Sequence, residues 1–123
     1  MMADTTQTPV VDTHVHAGTT KYEPVESLLD QMARHGVDHA LLIQHMGMYD
    51  NSYLVACAEA HPGRFAIACL IDAHEPGAAA RLDALVERYP AVQGIRLYLA
   101  DLFAGMPEAR ALDRKSTRLN SRH

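Results

Sequence analysis

Four apolar runs at near-even spacing limit what this chain can become. Val10–His14, His39–Gln44, Phe65–Ile71 and Val92–Leu99 have strand length and recur about every 27 residues. That spacing leaves room for one helix between successive strands, which is the pattern of a parallel βα repeat. The runs are apolar almost throughout, as expected for strands covered on both faces.

The intervening segments carry helix signals. Pro24 suits a first helical position. Val25, Leu28, Leu29 and Met32 then follow helical spacing, and Gly36 supplies the stop. Asn51 is a good N-cap for a second helix, with Leu54, Val55 and Ala58 as its apolar stripe and His61-Pro62-Gly63 as its end. A third starts near Pro76, buries Ala79, Leu82, Leu85, Val86 and Tyr89, and stops at Pro90. Leu102–Leu112 begins a fourth helix or a loop.

Two α/β architectures accept this order. One is a small doubly wound sheet. The other is the N-terminal half of a (β/α)8 TIM barrel, with about four strands and three helices. A complete barrel takes about 250 residues, so the second reading makes the chain truncated. Residues 113–123 point the same way. They resemble a translated sequencing adapter, differing from it only at Arg122, so the expected organisation is a partial barrel domain over 1–112 and a non-native tail over 113–123.

Composition narrows the partners. The chain carries a net charge of −4, and the tail contributes four Lys/Arg against one Asp, so residues 1–112 stand at −7. That balance attracts neither nucleic acid nor an anionic membrane, and the expected partner is a small-molecule substrate. Cys57 and Cys69 sit in apolar surroundings on different expected elements. They read as reduced core residues of a cytoplasmic protein, not as a disulfide or a zinc pair. No run spans a bilayer, and Met1–Thr8 has no signal-peptide pattern.

The chemistry gathers at strand ends, where α/β folds place it. Asp12, His14 and His16 alternate along the first run and so are expected on one face. Two imidazoles two residues apart can hold one divalent ion, zinc first among them. Asp12 either orients such a ligand or hydrogen-bonds nearby backbone. Arg96 lies within an apolar run, where a guanidinium needs a partner. It either clamps a substrate carboxylate bidentately or makes an ion pair with an acidic side chain. Gln44 contacts substrate or simply ends its strand, and His45 is expected to point the opposite way, without a role in the site. His35, His39 and His61 are expected at helix ends and in solvent. Gly18-Thr19-Thr20 is only a faint echo of a phosphate loop, and no nucleophile elbow is present.

These residues carry a family resemblance. Val11-Asp12-Thr13-His14-Val15-His16 resembles the first-strand motif of the amidohydrolase superfamily. Leu41–Gln44, Asp50–Leu54, Ala60–Phe65 and Gln93–Arg96 resemble its amidohydrolase-related branch, which includes lactonases, decarboxylases and hydratases. The resemblance implies a (β/α)8 barrel with a mononuclear or metal-independent site. His14 and His16 would bind the metal, and Gln44 and Arg96 would hold a substrate carboxylate or lactone oxygen. The remaining ligands and the catalytic Asp would come from strands five to eight, outside this sequence. The expected activity is therefore hydrolysis of a lactone or carboxylated small molecule by the intact enzyme, with the fragment itself inactive. A decarboxylase or hydratase on the same barrel, or a doubly wound binding domain without catalysis, are the alternatives.

Overall fold

The computed structural model describes residues 8–121. Residues 1–7, on which the expected lack of a signal peptide rests, and 122–123 of the adapter-like segment lie outside the described residues. Four strands form: β1 (Val11–Val15), β2 (His39–Ile43), β3 (Phe65–Leu70) and β4 (Val92–Arg96). Between them run α1 (Val25–His35), α2 (Ser52–Ala60) and α3 (Ala78–Arg88). Two helices follow β4: the short α4 (Leu99–Phe103) and α5 (Pro107–Ser121).

All neighbouring strands pair in parallel, in the order β1-β2-β3-β4. This order separates the two architectures. A doubly wound sheet reverses its strand order and places helices on both faces. Here the order never reverses, so right-handed crossovers put every helix on the same side. The sheet is singly wound, as in one half of a (β/α)8 barrel.

Burial follows that geometry. Ala40, Leu42, Phe65, Ile67, Cys69 and Val92 face the helices and are closed off by Met32, Leu54, Leu82 and Leu112. On the opposite face, which lines the inside of a barrel, Leu41, Ile43 and Ala66 stay half-exposed, and Val11 is exposed. Among the described residues no helix is long and apolar enough to cross a membrane.

Local signals explain most element ends. Gly36 adopts φ 69°, and its N–H and that of Val37 both bond to Met32 O, closing α1. The N-terminus of α1 has no side-chain cap of its own. Instead Tyr53 Oη, from α2, accepts the Val25 N–H at 2.9 Å. α3 starts two residues later than Pro76, because Gly77 at φ 79° completes a turn first.

Two features depart from expectation, and a third element runs across an expected boundary. Asn51 stands at the N-cap position of α2 but makes no capping bond there, its amide being used elsewhere. Asp50 Oδ1 takes the Ser52 N–H instead, at 3.0 Å. The Val92–Leu99 run ends as a strand at Arg96 and turns into α4. Finally, α5 crosses residue 112 without a break. Ala109 and Leu112 are buried against the core, and Lys115 Nζ lies 2.7 Å from Asp83 Oδ2 of α3.

Candidate active site at the strand ends

β1 delivers the two histidines through an irregular strand. Val11 pairs with His39 and Asp12 with Ala40, but Val15 pairs with Leu42, so the register slips between Asp12 and Val15. The slip breaks the strict alternation that would put Asp12 on the face of His14. Asp12 Oδ1 instead accepts the His14 N–H at 3.1 Å and shapes the local turn. That is the backbone-bonding alternative for Asp12.

His16 is half-buried and oriented from behind. Its Nδ1 lies 2.7 Å from Ile43 O. A carbonyl only accepts, so Nδ1 carries the proton and Nε2 keeps its lone pair for a ligand. Tyr22 stacks on the His16 ring, with centroids 4.7 Å apart and planes inclined by 26°. His14 meets the same ring edge-on at 5.0 Å.

β2 ends at Ile43, and the next residues turn inward. Gln44 is buried, and its amide is spent on the chain. Nε2 donates to Asp50 O at 3.0 Å and to Asn51 Oδ1 at 3.3 Å, while Oε1 accepts the His45 N–H. The geometry gives Gln44 a tethering task. Asn51 completes the tether: its Oδ1 accepts Leu70 N–H at 3.1 Å, and its Nδ2 donates to Leu70 O at 3.0 Å. One amide thereby extends the β3 hydrogen-bonding edge and holds the β2–α2 loop on it.

His45 lies beside this tether, in surroundings that the sequence did not reveal. It is 7% exposed, its ring lies 5.2 Å from that of Tyr22, and its Nδ1 is buried with no hydrogen-bond partner. Alternation along β2 was no guide to it, because the strand has already ended. His14, His16, Tyr22 and His45 form a run of rings across the β1 and β2 ends.

Arg96 approaches from β4. The residues beside it, Gly94 and Ala68, are small, and Nη1 reaches past β3 to donate to Gln44 O at 3.0 Å. No other acceptor for its guanidinium occurs among the described residues, and no carboxylate lies within ion-pair distance of it. The ion-pair alternative for Arg96 is therefore not met among the described residues, and most of the guanidinium fork is free of protein acceptors there. His14 and Arg96 line the same concavity of about 490 Å³, with Leu41, Ile43 and Ala68 as its apolar floor. Opposite, Tyr98 Oη accepts the Gly47 N–H at 3.0 Å and joins the loop after β2 to the end of β4.

No protein-family model matches the chain, and no curated protein matches it. Among solved structures, the chain is similar to a probable 2-pyrone-4,6-dicarboxylic acid hydrolase from Acinetobacter baumannii, crystallised with citric acid bound. The TM-score is 0.70 at 19% sequence identity, over 92% of this chain and 47% of that one. The likeness establishes a half-barrel. This chain spans about half the length of that protein, and its four βα units correspond to four of the barrel's eight.

Within the half-barrel, His14, His16 and Arg96 stand at the C-terminal ends of their strands, the end on which TIM barrels carry their active sites. Their suitability for a metal can be tested on the donor set. His16 has the right tautomer, with Nδ1 fixed by a carbonyl. However, no group of three or more His, Cys, Asp or Glu able to hold an ion occurs among the described residues. The two imidazoles fit as part of a catalytic donor set, which needs three protein ligands, and do not make a centre by themselves.

Proposed function

We propose that this chain is the N-terminal half of an amidohydrolase-like hydrolase that opens a lactone or a related ester of a small, multiply carboxylated molecule. The observation that carries the reading is the Arg96 guanidinium. It is half-buried, bonded among the described residues only to Gln44 O, and shares a concavity with His14 at the strand ends of a half-barrel. A guanidinium with free paired donors is the natural clamp for a carboxylate. The structural neighbour is a probable dicarboxylic acid hydrolase that crystallised with a tricarboxylic acid, and this supports the same ligand class here.

The residues divide the work as follows. Arg96 holds a substrate carboxylate and anchors it above Leu41, Ile43 and Ala68. His16, its ring locked by Ile43 O and Tyr22, presents Nε2 as an acceptor toward the reacting group. His14 lies against its edge and closes the other side of the concavity. A divalent ion such as zinc, held in part by His14 and His16, would supply Lewis acidity at the carbonyl. Hydrolysis adds water across the acyl C–O bond and leaves a carboxylate and an alcohol. The general base that takes the water proton belongs to the second half of the barrel.

The test is ring opening of 2-pyrone-4,6-dicarboxylate by the full-length product of the source gene, with a lactone lacking carboxylates as control. The expected result is hydrolysis selective for the dicarboxylate. Arg96→Met should raise KM about tenfold or more, the loss of roughly 1.4 kcal/mol of substrate binding, with a smaller effect on kcat. No ring opening of any carboxylated lactone, or an unchanged KM in the variant, overturns the reading. Release of carbon dioxide with the ring intact assigns the scaffold to decarboxylation instead.

A further inference from the structure

A second large concavity lies apart from the one at the strand ends. It lies on the helical side, between α2 and α3, and measures about 830 Å³. Its origin is in the packing. α2 rests on β3, whereas α3 leans toward α5 and β4, so the two neighbouring helices part and leave a gap. Val55 and Ala56 of α2, Ala84 and Leu85 of α3, and Ile71 beyond β3 form an apolar floor. All these walls belong to inner units of the sheet. The gap therefore persists whatever covers the free edges of β1 and β4.

The rim has one sign of charge. Asp50, Glu59, Asp72 and Glu75 surround the opening. None of them has a Lys or Arg within ion-pair distance among the described residues. Among the described residues Arg81 is the single cation on the wall, and it is turned onto backbone. Its Nη1 donates to Pro76 O, and its Nη2 donates to Asp72 O at 3.0 Å and Glu75 O at 3.4 Å. The Tyr49 hydroxyl, which lines the same concavity, is pushed up first by burial and then by the Asp72 carboxylate, Tyr98 and Asp101. Tyr49 and Tyr89 place an aromatic ring at the mouth and on the wall. Arg88 already lies 5.2 Å from the Tyr89 ring centroid, so the Tyr49 ring is the one left for a cation.

We infer that the gap between α2 and α3 is a second binding site, for a small organic cation with an apolar body: an amine whose hydrocarbon part enters between the helices while its ammonium stays at the carboxylate rim. The volume falls in the range of small-molecule sites. The chemistry is opposite in sign to that of the strand-end concavity, where Arg96 awaits an anion. The two sites therefore take different molecules, and this inference stands or falls independently of the hydrolase reading.

A matched set of probes tests it: 4-phenylbutylamine, 4-phenylbutanol and 4-phenylbutyrate, which share a hydrocarbon body and differ in charge. Each is titrated into the protein at neutral pH, with binding read from amide and methyl NMR shifts. The amine should bind about tenfold or more tighter than the butyrate, with the alcohol between them, and should shift Val55 and Leu85. Glu59→Gln with Glu75→Gln, two exposed changes whose fold is checked by thermal melting, should bring the amine close to the alcohol. Equal affinity of amine and butyrate, shifts confined to the strand ends, or an amine affinity unmoved by the double variant each overturn the proposal.

Discussion

β1 and β3 are strands of one sheet with opposite burdens. β3 (Phe65–Leu70) is covered almost completely, with Ile67 and Cys69 at 0% exposure, and it carries no charged side chain and no histidine. β1 (Val11–Val15) is an open edge, its register slips, and it leads to both candidate metal-binding histidines, His14 within it and His16 just past its end. The difference shows a division of labour within four strands. The centre of the sheet supplies stability through burial. The edge accepts irregularity, because fewer neighbours depend on its alternation.

That contrast can be broken from its strong side first. Ile67→Ala should cost about 2–5 kcal/mol of unfolding free energy, through lost burial and the cavity it leaves. Denaturant melts would show it, and a loss below about 1 kcal/mol would mean that β3 is not the structural centre. Next comes the tether at the end of β3. Asn51→Ala should cost about 1–3 kcal/mol, since it strands the buried Leu70 N–H and C=O. A cycle with Gln44→Ala should show non-additivity, because the two amides bond each other.

At the edge the expected effect is smaller. Val11→Ala, at a site 52% exposed, should stay within about 0.5 kcal/mol of the parent. The last effect is nil at neutral pH. Burial pushes the Cys69 thiol up to about 12 from an ordinary 9.0. The folded state therefore holds this proton more tightly than the unfolded chain does. Stability from this group is complete below about pH 9 and declines as pH rises from there toward 12. Cys69→Ala should flatten that alkaline decline, and a thiol reagent at pH 8 should label Cys69 only in denaturant.

Much of the fold was legible because its signals are local. Four apolar runs marked all four strands to within one to three residues at their ends, and Gly36 and Pro90 marked where α1 and α3 stop. What periodicity left open was the choice between a barrel half and a doubly wound sheet. That choice depends on strand order, a long-range property that a helix-strand pattern does not encode. At the site, His14, His16 and Arg96 were visible as polar groups ending apolar runs, and the structure places His14 and Arg96 on one concavity. Asp12, Gln44 and Asn51 were readable only as polar residues near strand or helix ends. Their roles are set by partners at other strands or by a register slip, which no spacing rule reveals. The burial of His45 was beyond the reach of alternation, because the residue lies just past the strand that the rule describes.

The tether between Gln44, Asn51 and Leu70 has a consequence for how such a molecule can change over generations. It secures the two ends of the segment 45–50 to the sheet, and between them the Gly47 N–H bond to Tyr98 Oη and the buried His45 are the further ties, which leaves Met46 and Met48 least constrained. Mutations there can alter what the mouth of the barrel admits while the inherited scaffold keeps its shape. A lineage could try new ligand preferences within those few positions, and a designer could exchange them as a cassette, provided the two amides at its borders are kept.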